Sequence, residues 1–126
     1  MNNFEKEAAI RKYFSMWIKR DFTALDSIFA SDIYYSECYG PEYSGLQEIR
    51  CWIEDMLCKQ YVLEWKVKRF IHENNIVVVE WFFKERQNKT EHAFDGVSII
   101  QFKNDGKIIS IKEFESKTEH TTPFRI

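Results

Sequence analysis

The sequence has 126 residues, which is enough for one domain and too few for two ordinary ones. Lys and Arg total 18 against 20 Asp and Glu, so the formal net charge is −2. This balance argues against a dedicated nucleic-acid-binding protein, whose phosphate contacts need a basic excess. Aromatic residues make up 17% of the chain, and this apolar bulk predicts a packed core and excludes intrinsic disorder.

The sequence carries no sign of a membrane or secreted protein. Its first ten residues are charged and lack an apolar signal core, and its longest aliphatic run, residues 76–79, is far too short to span a bilayer. The cysteines form no C-x-x-C pair and are odd in number, which fits reduced thiols. These cysteines are Cys38, Cys51 and Cys58. We therefore expect a soluble cytoplasmic protein.

The first half of the chain has helical periodicity. Apolar residues at helical spacing predict an amphipathic first helix over residues 4–20. Asp21 can cap a second, shorter helix. Residues 33–38 are β-branched and aromatic and predict a short strand. Ser44 followed by Gln47 has the spacing of a capping box, which predicts the start of a third helix.

From Val62 onward the apolar residues follow a period of two, which is typical of strands. This alternation puts Leu63, Trp65 and Ile71 on one face of a long strand. The Asn104-Asp105-Gly106 segment predicts a hairpin turn, because Asp-Gly supplies the positive φ that such turns need.

Helices followed by strands predict an α+β fold. We expect three N-terminal helices to pack on the concave side of one strongly curved antiparallel sheet formed by residues 62–117. Residues 1–126 are predicted to be a single domain, with 118–126 as a loose C-terminal tail.

The strand at residues 76–83 is apolar on both faces apart from Glu80, which is typical of a central, covered strand. Glu80 is expected either to form an ion pair on the sheet, with Arg69 or Lys66, or to face a cavity. Helices can cover only one face of this strand. We therefore predict a homodimer through the convex face of the sheet.

Several segments together form a recognisable pattern. They are Asp21 with Leu25, Ile28-Phe29-Ala30-Ser31-Asp32, Tyr43-Ser44-Gly45 with Ile49, Phe94-Asp95-Gly96-Val97-Ser98, and Gly106-Lys107-Ile108 with Glu113-Phe114. With the predicted element order, this pattern resembles the nuclear transport factor 2-like superfamily, which includes ketosteroid isomerases and SnoaL-like polyketide cyclases. The resemblance implies a cone-shaped, cystatin-like α+β barrel with a cavity at one end.

Ketosteroid isomerases hold an enolate with a carboxylate base, a tyrosine and a protonated carboxylic acid. The resemblance places the base on Glu37, the tyrosine on Tyr13 and the third position on Ser98, where a serine stands in place of the acid. It implies that Glu37 moves a proton within a small apolar carbonyl compound, while Tyr13, helped by Ser98, stabilises the oxyanion. Burial of Glu37 would raise its pKa toward the range of a general base.

Because the superfamily also contains binding proteins and transport adaptors, other interpretations stay open. Aromatic residues could line a pocket for a small hydrophobic ligand without chemistry, and the outer sheet face could serve an interaction module. The candidate pocket residues are Trp17, Trp52, Phe82, Phe94 and Phe102. Glu37 could equally be an exposed carboxylate, and Tyr13 an ordinary core tyrosine.

The remaining ionisable residues predict no second site. The three histidines are far apart and lack metal-ligand spacing, so we expect neither a metal nor a cofactor. Asp95 is expected to point away from the pocket unless a bulge at Gly96 reverses it. The predicted register puts Glu115 on the pocket side, beside Ile111 and Glu113, but both glutamates are expected at the solvated end of the last strand.

Overall fold

The computed structural model describes all residues, 1–126. Its elements in chain order are α1 (Asn3–Lys19), α2 (Leu25–Ile28), β1 (Phe29–Ser36), β2 (Glu42–Ser44), α3 (Leu46–Leu57), β3 (Tyr61–Glu73), β4 (Ile76–Gln87), β5 (Thr90–Phe102) and β6 (Ile108–Ser116). The α+β class and the three N-terminal helices are confirmed. No helix is long and apolar enough to cross a membrane.

All six strands belong to one curved sheet that does not close on itself. Their order is β2-β1-β6-β5-β4-β3, and β3 to β6 pair in sequence as an antiparallel meander, as predicted. The short strand β1 joins the other edge of β6 in parallel, a pairing that the sequence does not indicate. The helices pack on the concave face, where α1 lies against β3.

Two β-bulges in β3 change the predicted alternation. The pairing with β4 shifts between Val62 and Glu64 and again between Val67 and Arg69. Each extra residue moves the following side chains to the other face and bends the strand. The predicted common face of Leu63, Trp65 and Ile71 is therefore wrong, since Val62 and Trp65 are buried whereas Ile71 is 45% exposed.

Two predicted helix caps are also wrong. Asp21 accepts a hydrogen bond from the Thr23 N–H at 3.0 Å instead of capping α2, which begins four residues later. Gly45, with φ of 89°, is the N-cap of α3 and replaces the predicted Ser44 capping box. The Glu48 carboxylate accepts the Ser44 N–H at 2.8 Å, so a carboxylate still lies in the first turn of α3.

The outer face of the sheet carries charged pairs, one of which was predicted. Arg69 forms an ion pair with Glu80, and Lys68 forms another with Asp95 at 2.6 Å. The pairing of β4 with β5 runs through Gly96 without a bulge, so Asp95 stays on the outer face.

Gly96 leaves room for the indole of Trp81, its partner across the β4–β5 pair. A Cβ at Gly96 would lie 2.4 Å from a ring carbon of Trp81 and 2.5 Å from the Phe114 carbonyl oxygen. Because one of these neighbours is backbone, the added methyl group has no easy space to enter.

We predict that Gly96→Ala lowers the free energy of unfolding by about 1–3 kcal/mol, because it overpacks the core beside Trp81. Urea denaturation measures this change. Ala93→Ser is the matched control, since it adds one atom at an exposed position of the same strand. Equal stability of Gly96→Ala and wild type would contradict the packing described here.

Candidate active-site cavity

The open end of the curved sheet contains two connected spaces. An outer cleft of about 1150 Å³ lies between the β1–β2 loop, the end of α3 and the ends of β4 to β6. An inner cavity of about 40 Å³ lies deeper, against α1 and the sheet. Glu37, Tyr39 and Phe94 line both spaces, so they form the neck between them.

Glu37 reaches the neck because a tight turn follows β1. The Glu37 N–H donates to the Pro41 carbonyl at 2.9 Å, and the Gly40 N–H donates to the Glu37 carbonyl at 3.2 Å. Gly40 has φ of 109°, which residues with a Cβ rarely adopt. The Tyr43 hydroxyl donates to the Glu37 carboxylate at 2.8 Å and fixes the side chain.

A chain of buried hydrogen bonds ends at Glu113 in the inner cavity. The Trp17 indole N–H donates to the Tyr13 hydroxyl at 2.9 Å, and the Tyr13 hydroxyl donates to the Tyr35 hydroxyl at 2.7 Å. The Tyr35 hydroxyl then donates to the Glu113 carboxyl group at 2.6 Å. The chain thereby joins helix α1 to strands β1 and β6.

The two cavity carboxyl groups have raised pKa values, but to different extents. Burial raises the pKa of Glu113 to about 8, the hydrogen bond from Tyr35 lowers it, and the nearby charge of Glu37 raises it further. Burial also raises the pKa of Glu37, against the opposing effects of the Tyr43 hydrogen bond and Lys59. Near neutral pH the deeper Glu113 is therefore mainly a neutral acid.

The resemblance assigned Tyr13 and Ser98 to an oxyanion-binding role, and the structure places both in the core. The Tyr13 hydroxyl accepts from Trp17 and donates its only proton to Tyr35. Ser98 is fully buried, and its hydroxyl accepts the Trp81 indole N–H at 2.9 Å. Of the three assigned residues, only Glu37 lines the cavity.

The five candidate pocket residues separate into two groups. Trp17, Trp52 and Phe94 line the inner cavity. Phe82 is not brought to the cavity, because it alternates with buried Trp81 and Phe83 and lies on the other face of β4. Phe102 is buried in the core, away from both spaces.

Sequence reasoning missed Glu113, which was expected at a solvated strand end. Glu113 is instead the cross-strand partner of Ser98, so the acid lies on the neighbouring strand, directly opposite the position where the resemblance looked for it. Its place two residues after buried Ile111, on the same face of β6, was the available signal. Glu115, two residues further, lies in the outer cleft.

The raised pKa of Glu113 predicts a pH-dependent stability. An unfolded glutamate titrates near 4.5, whereas the pKa of folded Glu113 is about 8. The folded state therefore holds this proton more tightly, and its stabilisation is complete below the unfolded pKa and is lost as pH rises through the folded one. The raised pKa of Glu37 acts with the same sign.

We expect the free energy of unfolding, measured by urea denaturation, to fall between about pH 5 and about pH 9. Glu113→Gln should flatten this decline, because the amide is neutral throughout and can still accept the Tyr35 hydrogen bond. Glu115→Gln is the matched control on the same strand and should keep the wild-type slope. An unchanged slope in Glu113→Gln would contradict the assignment of a buried neutral acid.

Comparison with known proteins places the fold in a wide group. The SnoaL-like domain family matches residues 10–111. A candidate polyketide cyclase from Xanthomonas campestris pv. campestris is 14% identical, with a TM-score of 0.74 over 92% of this chain and 93% of its own. An epoxide hydrolase from M. tuberculosis, described as LEH-like, is 15% identical, with a TM-score of 0.79 over 90% and 79%.

A third structure, from Catenulispora acidiphila DSM 44928, has a ketosteroid isomerase-like fold and was solved in complex with trimethylamine. It is 16% identical, with a TM-score of 0.75 over 87% of this chain and 85% of its own. At such identities these likenesses concern the fold alone. No curated protein matches the sequence. Since the family match spans most of the chain, the protein belongs to the SnoaL-like domain family.

Proposed function

We propose that this protein is a proton-transfer enzyme of the isomerase or cyclase type, acting on a small apolar carbonyl compound. The observation that carries the proposal is the pair of carboxyl groups in one cavity, Glu37 at the neck and Glu113 in the wall. Their pKa values are raised to different extents, so one is suited to act as a base while the other remains an acid.

In the proposed reaction, ionised Glu37 takes the proton from a carbon next to the carbonyl group. The electrons of the broken C–H bond move to the carbonyl oxygen, and neutral Glu113 donates a hydrogen bond to the resulting enolate. Glu37 then returns the proton to carbon, at the same or a conjugated position. The cycle is complete without a net gain or loss of protons, and it needs no cofactor.

The surrounding residues support this division of roles. Tyr43 holds the Glu37 carboxylate at the neck, where a substrate from the outer cleft would pass. Tyr35 holds Glu113 through its hydroxyl and is itself held by Tyr13. The similar fold of the candidate polyketide cyclase from Xanthomonas campestris supports the cyclase part of the proposal. The Cys38 thiol also lines the inner cavity, but burial raises its pKa to about 12, which argues against a thiolate nucleophile.

A non-catalytic ligand-binding protein is the alternative. The predominantly aromatic wall of the inner cavity favours this alternative. The volume of the cavity is about 40 Å³. Both functions need a ligand in the cavity, but only the enzyme needs Glu37 as a base.

We predict that the protein catalyses hydrogen–deuterium exchange at the carbon next to the carbonyl of 1-tetralone in D₂O, measured by proton NMR. Glu37→Gln should lower the catalysed rate at least about a hundredfold, because it removes the base but keeps the shape. Glu113→Gln should cause a smaller loss, since an amide still donates a hydrogen bond. Glu54→Gln, at an exposed position of α3 that lines neither space, is the control for the same chemical change and should exchange at the wild-type rate.

Exchange that is no faster with wild-type protein than with Glu37→Gln would contradict the proposed chemistry. Binding of 1-tetralone without catalysed exchange would favour the ligand-binding alternative.

We also propose that the protein forms a homodimer through the outer face of the sheet. Ile71, Ile76 and Ile99 are between 37% and 45% exposed and surround half-buried Val78. Phe114 is 51% exposed and pairs with Val97 on the same face. The ion pairs Arg69–Glu80 and Lys68–Asp95 neutralise four charges on this face, whereas exposed Lys112, the cross-strand partner of Ile99, has no ion pair. An exposed apolar patch of this kind suits a two-fold interface in which the same patch of two copies meets.

Light scattering at micromolar concentration should return twice the 15.3 kDa mass of one chain. Ile99→Lys should shift the mass toward one chain, because it places an unpaired charge in the interface. Ile126→Lys, at the exposed C-terminus, adds the same charge elsewhere and should leave the mass unchanged. A wild-type mass of one chain would refute this assembly.

A further inference from the structure

A third carboxyl group, apart from those of Glu37 and Glu113, is buried in the wall of the outer cleft. Glu85 is only 3% exposed and lies on the concave face of β4. Its Oε1 accepts hydrogen bonds from the side-chain amides of Gln60, at 3.4 Å, and Gln87, at 2.8 Å. Its Oε2 is buried and has no hydrogen-bond donor. Leaving one oxygen of a buried carboxylate without a donor is costly, so this oxygen requires an explanation.

The group that faces the free oxygen is the imidazole of His92. Glu85 and His92 are directly opposite each other in the β4–β5 register, and His92 Nδ1 lies 3.5 Å from Glu85 Oε2. This separation is an ion-pair contact and is longer than a hydrogen bond. The His92 side chain is 61% exposed, so a small turn of the ring is enough to close the gap. Contacts of this kind often tighten when a ligand is bound.

The place of His92 in the cleft indicates what the pair can do. A neutral imidazole that donates its Nδ1–H to a carboxylate keeps a lone pair on Nε2, which can then accept a hydrogen bond. Because Nδ1 faces the wall, the Nε2 edge of the ring is the exposed one, and His92 lines the outer cleft. Phe94, at the neck, is the next residue on the same face of β5, about 7 Å along the strand. A ligand that enters the neck therefore has an acceptor beside its outer half.

The charge of the cleft favours a neutral partner for His92 over an anionic one. Four carboxyl groups and two ammonium groups line the cleft, so an anion would meet an excess of like charge. These residues are Glu37, Glu85, Glu115 and Glu119, against Lys59 and Lys117. A hydroxyl group supplies a donor and leaves the ligand neutral, as the aromatic rings at the neck require.

We propose that His92, oriented by Glu85, accepts a hydrogen bond from a hydroxyl group on the outer part of the ligand, so that the preferred substrate is a hydroxylated apolar ketone. The ligand O–H donates to His92 Nε2, and the His92 Nδ1–H donates to Glu85 Oε2. Glu85 is a positioning residue, because it acts only through His92. The inference deepens the proposed function and rests on it for the ketone, whose carbonyl group lies deeper, toward Glu113.

The first test compares 6-hydroxy-1-tetralone with 6-methoxy-1-tetralone, which carry oxygen at the same ring position but differ in the donor. Isothermal titration calorimetry should show at least about tenfold tighter binding of the hydroxy compound to wild type, since the methoxy compound covers Nε2 without pairing it. His92→Phe should remove most of this preference and leave affinity for the methoxy compound nearly unchanged. His120→Phe, the same change in the exposed tail, is the matched control and should keep the preference.

The tautomer of His92 is an independent readout that a merely structural role of Glu85 does not move. Long-range ¹H–¹⁵N spectra of the full-length protein with ¹⁵N-labelled histidine, at alkaline pH, distinguish the two neutral forms. With 6-hydroxy-1-tetralone bound, wild type should show the Nδ1–H form. Glu85→Gln should show the Nε2–H form, because its amide can donate to Nδ1, and it should lose the preference for the hydroxy compound.

Equal affinity of wild type for the two probes, a preference that persists in His92→Phe, or the Nε2–H form in liganded wild type would each overturn the hydroxyl site. Failure of both probes to bind at their solubility limits would also overturn it. The outcome is separable from that of the proposed function. A His92-dependent preference without catalysed exchange next to the carbonyl would refute the enzyme and leave the site. Exchange that depends on Glu37, without any preference for the hydroxy compound, would do the reverse.

Discussion

The hydrogen bond from Tyr35 to Glu113 is the interaction on which the arrangement of the cavity depends. It joins two neighbouring strands, β1 and β6, that are 78 residues apart in the sequence at this contact. Through Tyr13 it also fixes helix α1 against the sheet. Burial makes the Glu113 carboxyl group expensive to ionise and raises its pKa, and the hydrogen bond from Tyr35 offsets only part of this effect.

The parallel pairing of β1 with β6 makes this contact possible. Tyr35 pairs with Ile111 in register, and Glu113 lies two residues further along the same face of β6. The aromatic side chain is long enough to reach diagonally across the strand pair. Glu37 directly follows β1, and the turn that contains Gly40 holds it over the mouth of the cavity. Strand β1 thus positions both carboxyl groups. Its Tyr35 side chain holds Glu113, and its C-terminal end places Glu37.

Local patterns in the sequence predict most of the fold, and their failures have physical causes. The helical stripe of α1 and the meander of β3 to β6 follow from periodicity, because each is long enough for the pattern to be clear. The faces of β3 were misjudged, since bulges after Val62 and Val67 insert residues that a strict period of two does not anticipate. Capping by Asp21 failed because its carboxylate bonds within its own turn, a local competition that cap preferences alone do not resolve.

Only the part of the candidate site that a single chain segment forms could be predicted from the sequence. Glu37 follows a recognisable short strand, and the structure brings it to the cavity. Glu113 was missed because its hydrogen-bond partner, Tyr35, is 78 residues away in the sequence, and no pattern local to β6 contains that partner. The hydrogen bonding of the tryptophans is also inaccessible to sequence, since Trp17 and Trp81 have acceptors for their indole N–H groups whereas Trp52 and Trp65 have none within the protein. Only the positions of Tyr13 and Ser98 decide which indoles are satisfied.

The two carboxyl groups do not titrate independently, and this coupling strengthens the proposed assignment of roles. Glu37 lies at the neck, where Tyr43 and Lys59 favour its charge, so it ionises first as pH rises. Its negative charge then raises the pKa of Glu113, which keeps the deeper group neutral over the range in which the base is active. If the roles were exchanged, the charge would have to reside on the more deeply buried group, which lacks the favourable effect that the Lys59 charge has on Glu37. The burial of Glu37 and Glu113 in the cavity therefore determines which of the two carboxyl groups can act as the base.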